Sequence, residues 1–219
     1  MARKKRVMQN AITEGVIWKQ LLLFFFPIVL GTFFQQLYNT ADAIIVGKFV
    51  GKEALAAVGG ATGTLINLLV GFFVGLSSGA SVIISQFYGA QRSEDVSRAV
   101  HTTMALALAS GAALTVLGIC LSKNVLIMMG TPADVLDYAV TYINIYFLGM
   151  IPSLIYNIGS GILRAVGDSR RPLFFLVSAT MTNIVLDIVL VIGLNLGVAG
   201  AAAATVISQV VSAVLVMMT

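Results

Sequence analysis

Long apolar runs alternate with short polar breaks along the whole chain, and the breaks hold nearly all of its charge. The run at 173–194, LFFLVSATMTNIVLDIVLVIGL, is the clearest, with a single charge, Asp187, in 22 residues. As a helix it reaches about 33 Å, enough to cross a hydrocarbon core of about 30 Å. Comparable runs at 21–46, 54–87, 100–121 and 138–163, and a last one after 198, predict six membrane-spanning helices. The breaks at 89–98 (GAQRSEDVSR) and 164–172 (RAVGDSRRP) predict charged loops, and 195–198 (NLGV) a short turn. The expected fold class is all-α: a polytopic membrane protein of six transmembrane helices. Residues 1–20 form a cytoplasmic or interfacial N-terminus, with Trp18 as an interface anchor, and 21–219 form the transmembrane unit.

Proline and glycine refine this picture. Pro27 has no backbone N–H and a ring that crowds the preceding turn, so a helix kink is expected there. Gly59, Gly63, Gly71, Gly75 and Gly79, with Asn67 in register, form a small-residue ridge that lets a neighbouring helix approach closely. Gly200, Ala204, Ser208 and Ser212 form another, with Thr205 and Gln209 beside it.

Polar groups inside the runs are few, and they cluster. Thr180, Asn183 and Asp187 are spaced three and four apart and share one helical face. A carboxylate at such depth costs about 2.5–3.5 kcal/mol on insertion scales. A lone acid beside an amide and a hydroxyl therefore points to a site for a proton, a small cation or a cationic ligand; a structural contact between helices is the plainer alternative. Gln35, Asn39 and Asp42 share a face of the first run, a stripe suited to a wet cavity rather than lipid. The fourth run is the most aromatic and polar. Its tyrosines near the ends read as an interface belt, while Tyr142 and Asn157 can face a cavity. Helical rise puts Asp187 about 21 Å and Asp42 about 31 Å above the inner ends of their helices. Both acids then lie in the outer half, about two turns apart in height. No Lys or Arg lies inside the runs to neutralise them, so they form an acidic pocket. Desolvation and mutual repulsion disfavour its doubly charged state.

Hydrophobic residues make up 58% of the chain and charged residues 10%. A soluble domain carries about 25% charged residues, so the composition is that of an integral membrane protein. The net charge of +4 does not mark a nucleic-acid binder, because the bases lie between apolar runs. Ten of the thirteen Lys and Arg lie in the N-terminus and the two charged loops; only Lys48, Lys52 and Lys123 lie in the alternate ones. The positive-inside rule then puts both termini in the cytoplasm, across a cell (plasma) membrane. Ala41-Asp42-Ala43 resembles a signal cleavage site, but its leader would far exceed roughly 15–30 residues, so none is expected. Cys120, the only cysteine, excludes a disulfide within the chain. No nucleophile–base pair, metal cluster or phosphate-binding loop is present, so neither an enzyme nor a cofactor is expected.

In order along the chain stand TEGVIWKQL (13–21), Pro27, QQLYNTADAIIVGKFVGKEALAAVG (35–59), SQFYGAQR (85–92), GILRAVGDSRRP (161–172) and N-x3-D at Asn183 and Asp187. With these the chain resembles, over nearly its full length, the N-terminal half of a multidrug and toxic compound extrusion (MATE) transporter. The resemblance implies one six-helix lobe of a two-lobe protein, whose lobes rock to expose a central cleft to either side. It also implies a cation-coupling site of Asp42, Asn183 and Asp187, joined by Tyr142 and Thr205, with Gln35, Asn39 and Asn157 in the substrate cavity. Protons or sodium are the coupling candidates, with Na+ held at Asp42 and Asp187. The second lobe is absent from the sequence. Either the chain is part of a longer protein or two copies must associate.

The leading expectation is a cation-coupled exporter, an antiporter for amphipathic, cationic organic compounds. A flippase for lipid-linked precursors would need bases in the cavity to meet a pyrophosphate, and none lies inside the runs. A scaffold without transport would leave Asp42 and Asp187 unexplained.

Overall fold

The computed structural model describes residues 16–219. The basic cluster at 3–6 and the first part of the 13–21 motif lie outside them. Helix α1 (Ile17–Phe49) starts four residues before the expected 21 and runs on through Pro27, which is buried. It is followed by α2 (Lys52–Gly59), α3 (Ala61–Gly89), α4 (Ser93–Met128), α5 (Ala133–Leu148), α6 (Met150–Ala165) and α7 (Arg170–Asp187). A π-helical turn, Ile188–Gly193, prolongs α7, and α8 (Gly197–Met217) closes the lobe. There is no strand among the described residues.

Five stretches are long and apolar enough to cross a membrane: α1, α2 with α3, α4, α7 with its π turn, and α8. The pair α5 and α6 meets at 54° and, taken together, is also long and apolar enough to count as a sixth. The break is at Gly149. A Cβ there would stand 2.7 Å from the Gln209 Oε1 and 2.9 Å from a Val206 methyl, so only glycine lets α8 lie this close to the bend.

Helices α6 and α8 form the centre: α6 packs on α3, α4 and α8, and α8 also on α5 and α7. Half of the most apolar stretch of α8 is buried, against 11% for α1 and for α4, which present Leu, Val and Phe outward. This is the burial expected when lipid, rather than water, is the solvent. Close contacts replace long side chains at the centre. The ring of Phe147 fills the space over Gly118, and the hydroxyl of Ser77 lies where a Cβ of Gly161 would be. That hydroxyl donates to the Asn157 carbonyl at 2.9 Å, and Thr115 donates to the Phe147 carbonyl at 2.9 Å. The ridge Gly200, Ala204, Ser208 and Ser212 is buried as expected, with Gly200 against the backbone of Leu190.

Three expectations are revised. The glycine ridge that runs from the end of α2 along α3 is not covered within the lobe: nothing lies within 4 Å of a Cβ built at Gly59, Gly71, Gly75 or Gly79. The charged stretch 89–98 is not a loop throughout, because α4 starts at Ser93. Glu94 and Asp95 sit in its first turn, where they complement the helix dipole, and Asp95 pairs with Arg92 at 2.7 Å. At 36 residues α4 is about 54 Å long and exceeds the bilayer core. The loop 164–172 shrinks to four residues, because α7 begins at Arg170 with Pro172 in its first turn. Asp168 Oδ1 accepts from the N–H groups of Arg170 and Arg171, both at 3.1 Å, and satisfies donors that the helix start leaves open.

Candidate functional site: a paired-acid pocket

The second half of α1 carries the polar stripe; Gln35 and Asn39 on it are exposed, while Asp42 is enclosed against α7. Asp42 on α1 is 5% exposed, while Asn183 and Asp187 on α7 are fully enclosed. The carboxyl groups of Asp42 and Asp187 interact directly with one another. The two-turn height difference expected from upright helices is therefore not kept. Asp42 Oδ1, both Asp187 oxygens and both amide atoms of Asn183 are buried with no hydrogen-bond donor or acceptor meeting them among the described residues. Were both ionised, neither carboxylate would have a proton to donate to the other. A shared proton or a small cation satisfies both at once.

Tyr38 and Thr205 cover this pair from α1 and α8. Tyr38 Oη donates to Thr205 Oγ1 at 3.1 Å, and Thr205 Oγ1 donates to the Ala201 carbonyl at 3.1 Å. Tyr142 of α5 is buried beside them and stacks on Tyr146, with ring centroids 6.4 Å apart and planes 20° from parallel. The four-residue spacing of the two tyrosines puts both rings on one face of α5.

A cavity of about 360 Å³ opens next to the pair. Gln35, Tyr38, Asn39 and Asp42 line it from α1, Tyr142 and Tyr146 from α5, and Ser153, Tyr156 and Asn157 from α6. Asn67 of α3, Thr180 of α7 and Ser208, Gln209 and Ser212 of α8 complete its polar wall. Gln35, Asn39 and Asn157 are thus brought together on one cavity. Asn157 also donates to the Ser153 carbonyl at 2.8 Å, which ties its amide nitrogen to its own helix. Asn183, Asp187 and Thr205 lie behind that wall, inside the lobe. No Lys or Arg lines the cavity.

Tyr38, Tyr146, Ser153, Ser208, Gln209 and Ser212 were not among the site residues read from the sequence. Tyr38 stands in the polar stripe of α1 and could have been found there. Ser208 and Ser212 lie on the small-residue ridge of α8, with Gln209 beside it, and that ridge reads as packing; Ser153 on α6 carries no signal of its own.

The MatE family model matches residues 27–189. The chain belongs to the MatE family. This MatE chain is 34% identical over 205 residues to the "Probable multidrug resistance protein YoeA" of Bacillus subtilis, covering 92% of itself and 44% of that protein. It is also 24% identical over 208 residues to the "FAD transporter" of Shewanella oneidensis, covering 93% and 46%. Among solved structures it superposes on a MATE in the straight conformation with a TM-score of 0.87 at 30% identity, covering 98% of itself and 47% of that chain. On a MATE in the bent conformation the score is 0.83 at 31% identity, covering 90% and 44%. The MatE chain spans about half the length of the curated relatives it matches. These relatives are transporters, not enzymes.

Proposed function

We propose that this chain is the N-lobe of a cation-coupled multidrug antiporter that works by alternating access in a cell membrane, with both termini cytoplasmic. The observation that carries this reading is the pair Asp42 and Asp187, in contact and unmet by donors, beside a polar cavity that contains no base. Entry of H+ or Na+ would satisfy the pair, with Asn183, Thr205 and Tyr142 as its oxygen and hydroxyl neighbours. The cavity suits an amphipathic organic cation: Gln35, Asn39 and Asn157 offer hydrogen bonds, and the stacked Tyr142 and Tyr146 offer aromatic faces for a cation. Pro27 would let α1 bend as the pair loads, since the helix lacks one N–H there. A lipid-linked pyrophosphate finds no cationic partner in this cavity, which disfavours a flippase. The cleft needs a second wall, from a C-lobe or a second copy of the chain.

The test is transport of a fluorescent organic cation into liposomes under an imposed pH or sodium gradient. A two-lobe protein containing this lobe should move it, Asp187→Asn should abolish that movement, and the chain alone should not transport. Undiminished transport by Asp187→Asn would reduce Asp187 to a structural contact.

A further inference from the structure

The cavity beside the acid pair continues past its polar wall. An open groove adjoins it between α1 and α2, and Asn39, Ala43 and Leu55 line both. Beyond these shared residues the groove passes Thr40, Ile44 and Gly47 and ends at Lys48. Helix geometry sets its direction. Residues four apart stand one above the other, so the rows Asn39, Ala43, Gly47 and Thr40, Ile44, Lys48 run side by side along α1. Asp42 shares the face of Asn39, three residues away. One strip of helix thus begins at a carboxylate and ends at an ammonium. Lys48 lies six residues after Asp42, a rise of about 9 Å. Between the two charges the surface is largely apolar, with Ile44 59% and Leu55 39% exposed. Gly47 lets Leu55 lie against the α1 backbone, since a Cβ there would stand 3.1 Å from a Leu55 methyl.

Lys48 is exposed, with its Nζ 5.8 Å from the centroid of the Phe49 ring, and it is in no ion pair among the described residues. Lys52 and Glu53, at the start of α2, do not line the groove. A molecule lying along the groove therefore meets the Lys48 ammonium at its far end. We propose that the groove is a second substrate subsite, where Lys48 takes a singly charged anionic group of a ligand whose cationic head lies at Asp42. The inference rests on the cation-cavity reading above and narrows its substrate class to zwitterionic amphiphiles. An ammonium and a carboxylate or sulfonate are joined in them by an apolar spacer of about 9 Å. The spacer lies over Ala43, Ile44 and Leu55, where each methylene it covers leaves water. A monocation leaves Lys48 unmatched, and a dication of the same length brings its second ammonium against it. Specificity then comes from repulsion as well as attraction. Lys48 stands in reach of water, so each charge at the far end shifts affinity by about two- to fivefold, less at high salt.

Isothermal titration calorimetry on the chain in neutral detergent, blanked against detergent alone, tests this with three probes of one length: octylamine, an amino-octanoate and an octane diamine. At low salt the amino-octanoate should bind about two- to fivefold tighter than octylamine, and the diamine weaker by a similar factor. Lys48→Gln should remove both differences, and Lys48→Glu should reverse their order. Lys52→Gln makes the same change of net charge as Lys48→Gln, but outside the groove, and should leave the order as it was. An amino-butanoate is too short to reach from Asp42 to Lys48 and should bind alike with and without Lys48. Asp42→Asn should weaken all the probes. An order that survives Lys48→Glu, or that Lys52→Gln alters as much as Lys48→Gln does, overturns the subsite; octylamine binding that still depends on Asp42 would then leave the cation cavity standing. If no probe binds, or none depends on Asp42, the cation reading fails and the subsite falls with it.

Discussion

Replacing Asp187 by Asn separates the stability of the lobe from its response to cations. The side chain is fully enclosed, neither oxygen is met by a donor, and its neighbour is a second carboxyl. A buried ion in that state costs several kcal/mol even after relaxation. The amide keeps the shape and removes the charge, though it brings an unsatisfied-group penalty of about 1–3 kcal/mol of its own. The difference leaves Asp187→Asn more stable by about 1–3 kcal/mol in alkaline, sodium-free buffer. At about 2–4 °C per kcal/mol for a chain of this size, the midpoint should rise measurably. The loss appears when the cation is added. A cation at about 100 times its dissociation constant stabilises the native lobe by about 2.7 kcal/mol, and the variant should show none of it. Thermal unfolding in detergent, with and without sodium and at two pH values, reads both effects. A fall in stability of more than about 2 kcal/mol in Asp187→Asn would show that the carboxylate is well satisfied, and the coupling argument would lose its basis.

Two further outcomes can be checked directly. Cysteines at Ser93 and Arg171 should react with impermeant thiol reagents only from the cytoplasm, and cysteines at Lys52 and Asn195 only from outside, in a Cys120→Ser background. Arg171 is exposed where Ser169 is buried, and a swapped pattern would reverse the proposed orientation. Gly118→Val places methyl groups where the Phe147 ring lies, so it should destabilise the lobe by about 1–3 kcal/mol, read by thermal unfolding. A neutral result would mean that Phe147 can leave its site freely.

The spans and the acid cluster were legible because both follow from period and polarity. Asn183 and Asp187 share a face by spacing alone, and a stripe of Gln35, Asn39 and Asp42 has no good place against lipid. What escaped the sequence depends on geometry between helices. The contact of Asp42 with Asp187 was hidden by treating α1 and α7 as upright and parallel. The break at Gly149 did have a local signature that went unused: Pro152 has no N–H for the Leu148 carbonyl, and Gly149 stands beside it, where Gln209 and Val206 of α8 leave no room for a Cβ. The π turn was invisible: a uniformly aliphatic segment has no phase from which to read its winding. The start of α4 was missed because charge was read as loop, although Ser-Glu-Asp is also a good helix opening.

The uncovered ridge on α3 has a consequence for how this lobe tolerates change. Each glycine in a helix interior gives up about 1 kcal/mol relative to alanine. Gly71, Gly75 and Gly79 do so with open space around them, so within the lobe alone each is a position where alanine improves the helix. Buried glycines such as Gly118 and Gly161 have no such freedom, because a neighbour already fills the missing Cβ. The lobe thus holds two populations of one residue type under opposite constraints. One is fixed by what it touches, and the other keeps a groove of bare backbone that runs on from Gly59, Gly63 and Asn67 at the cavity, which only a neighbour from outside turns into stability.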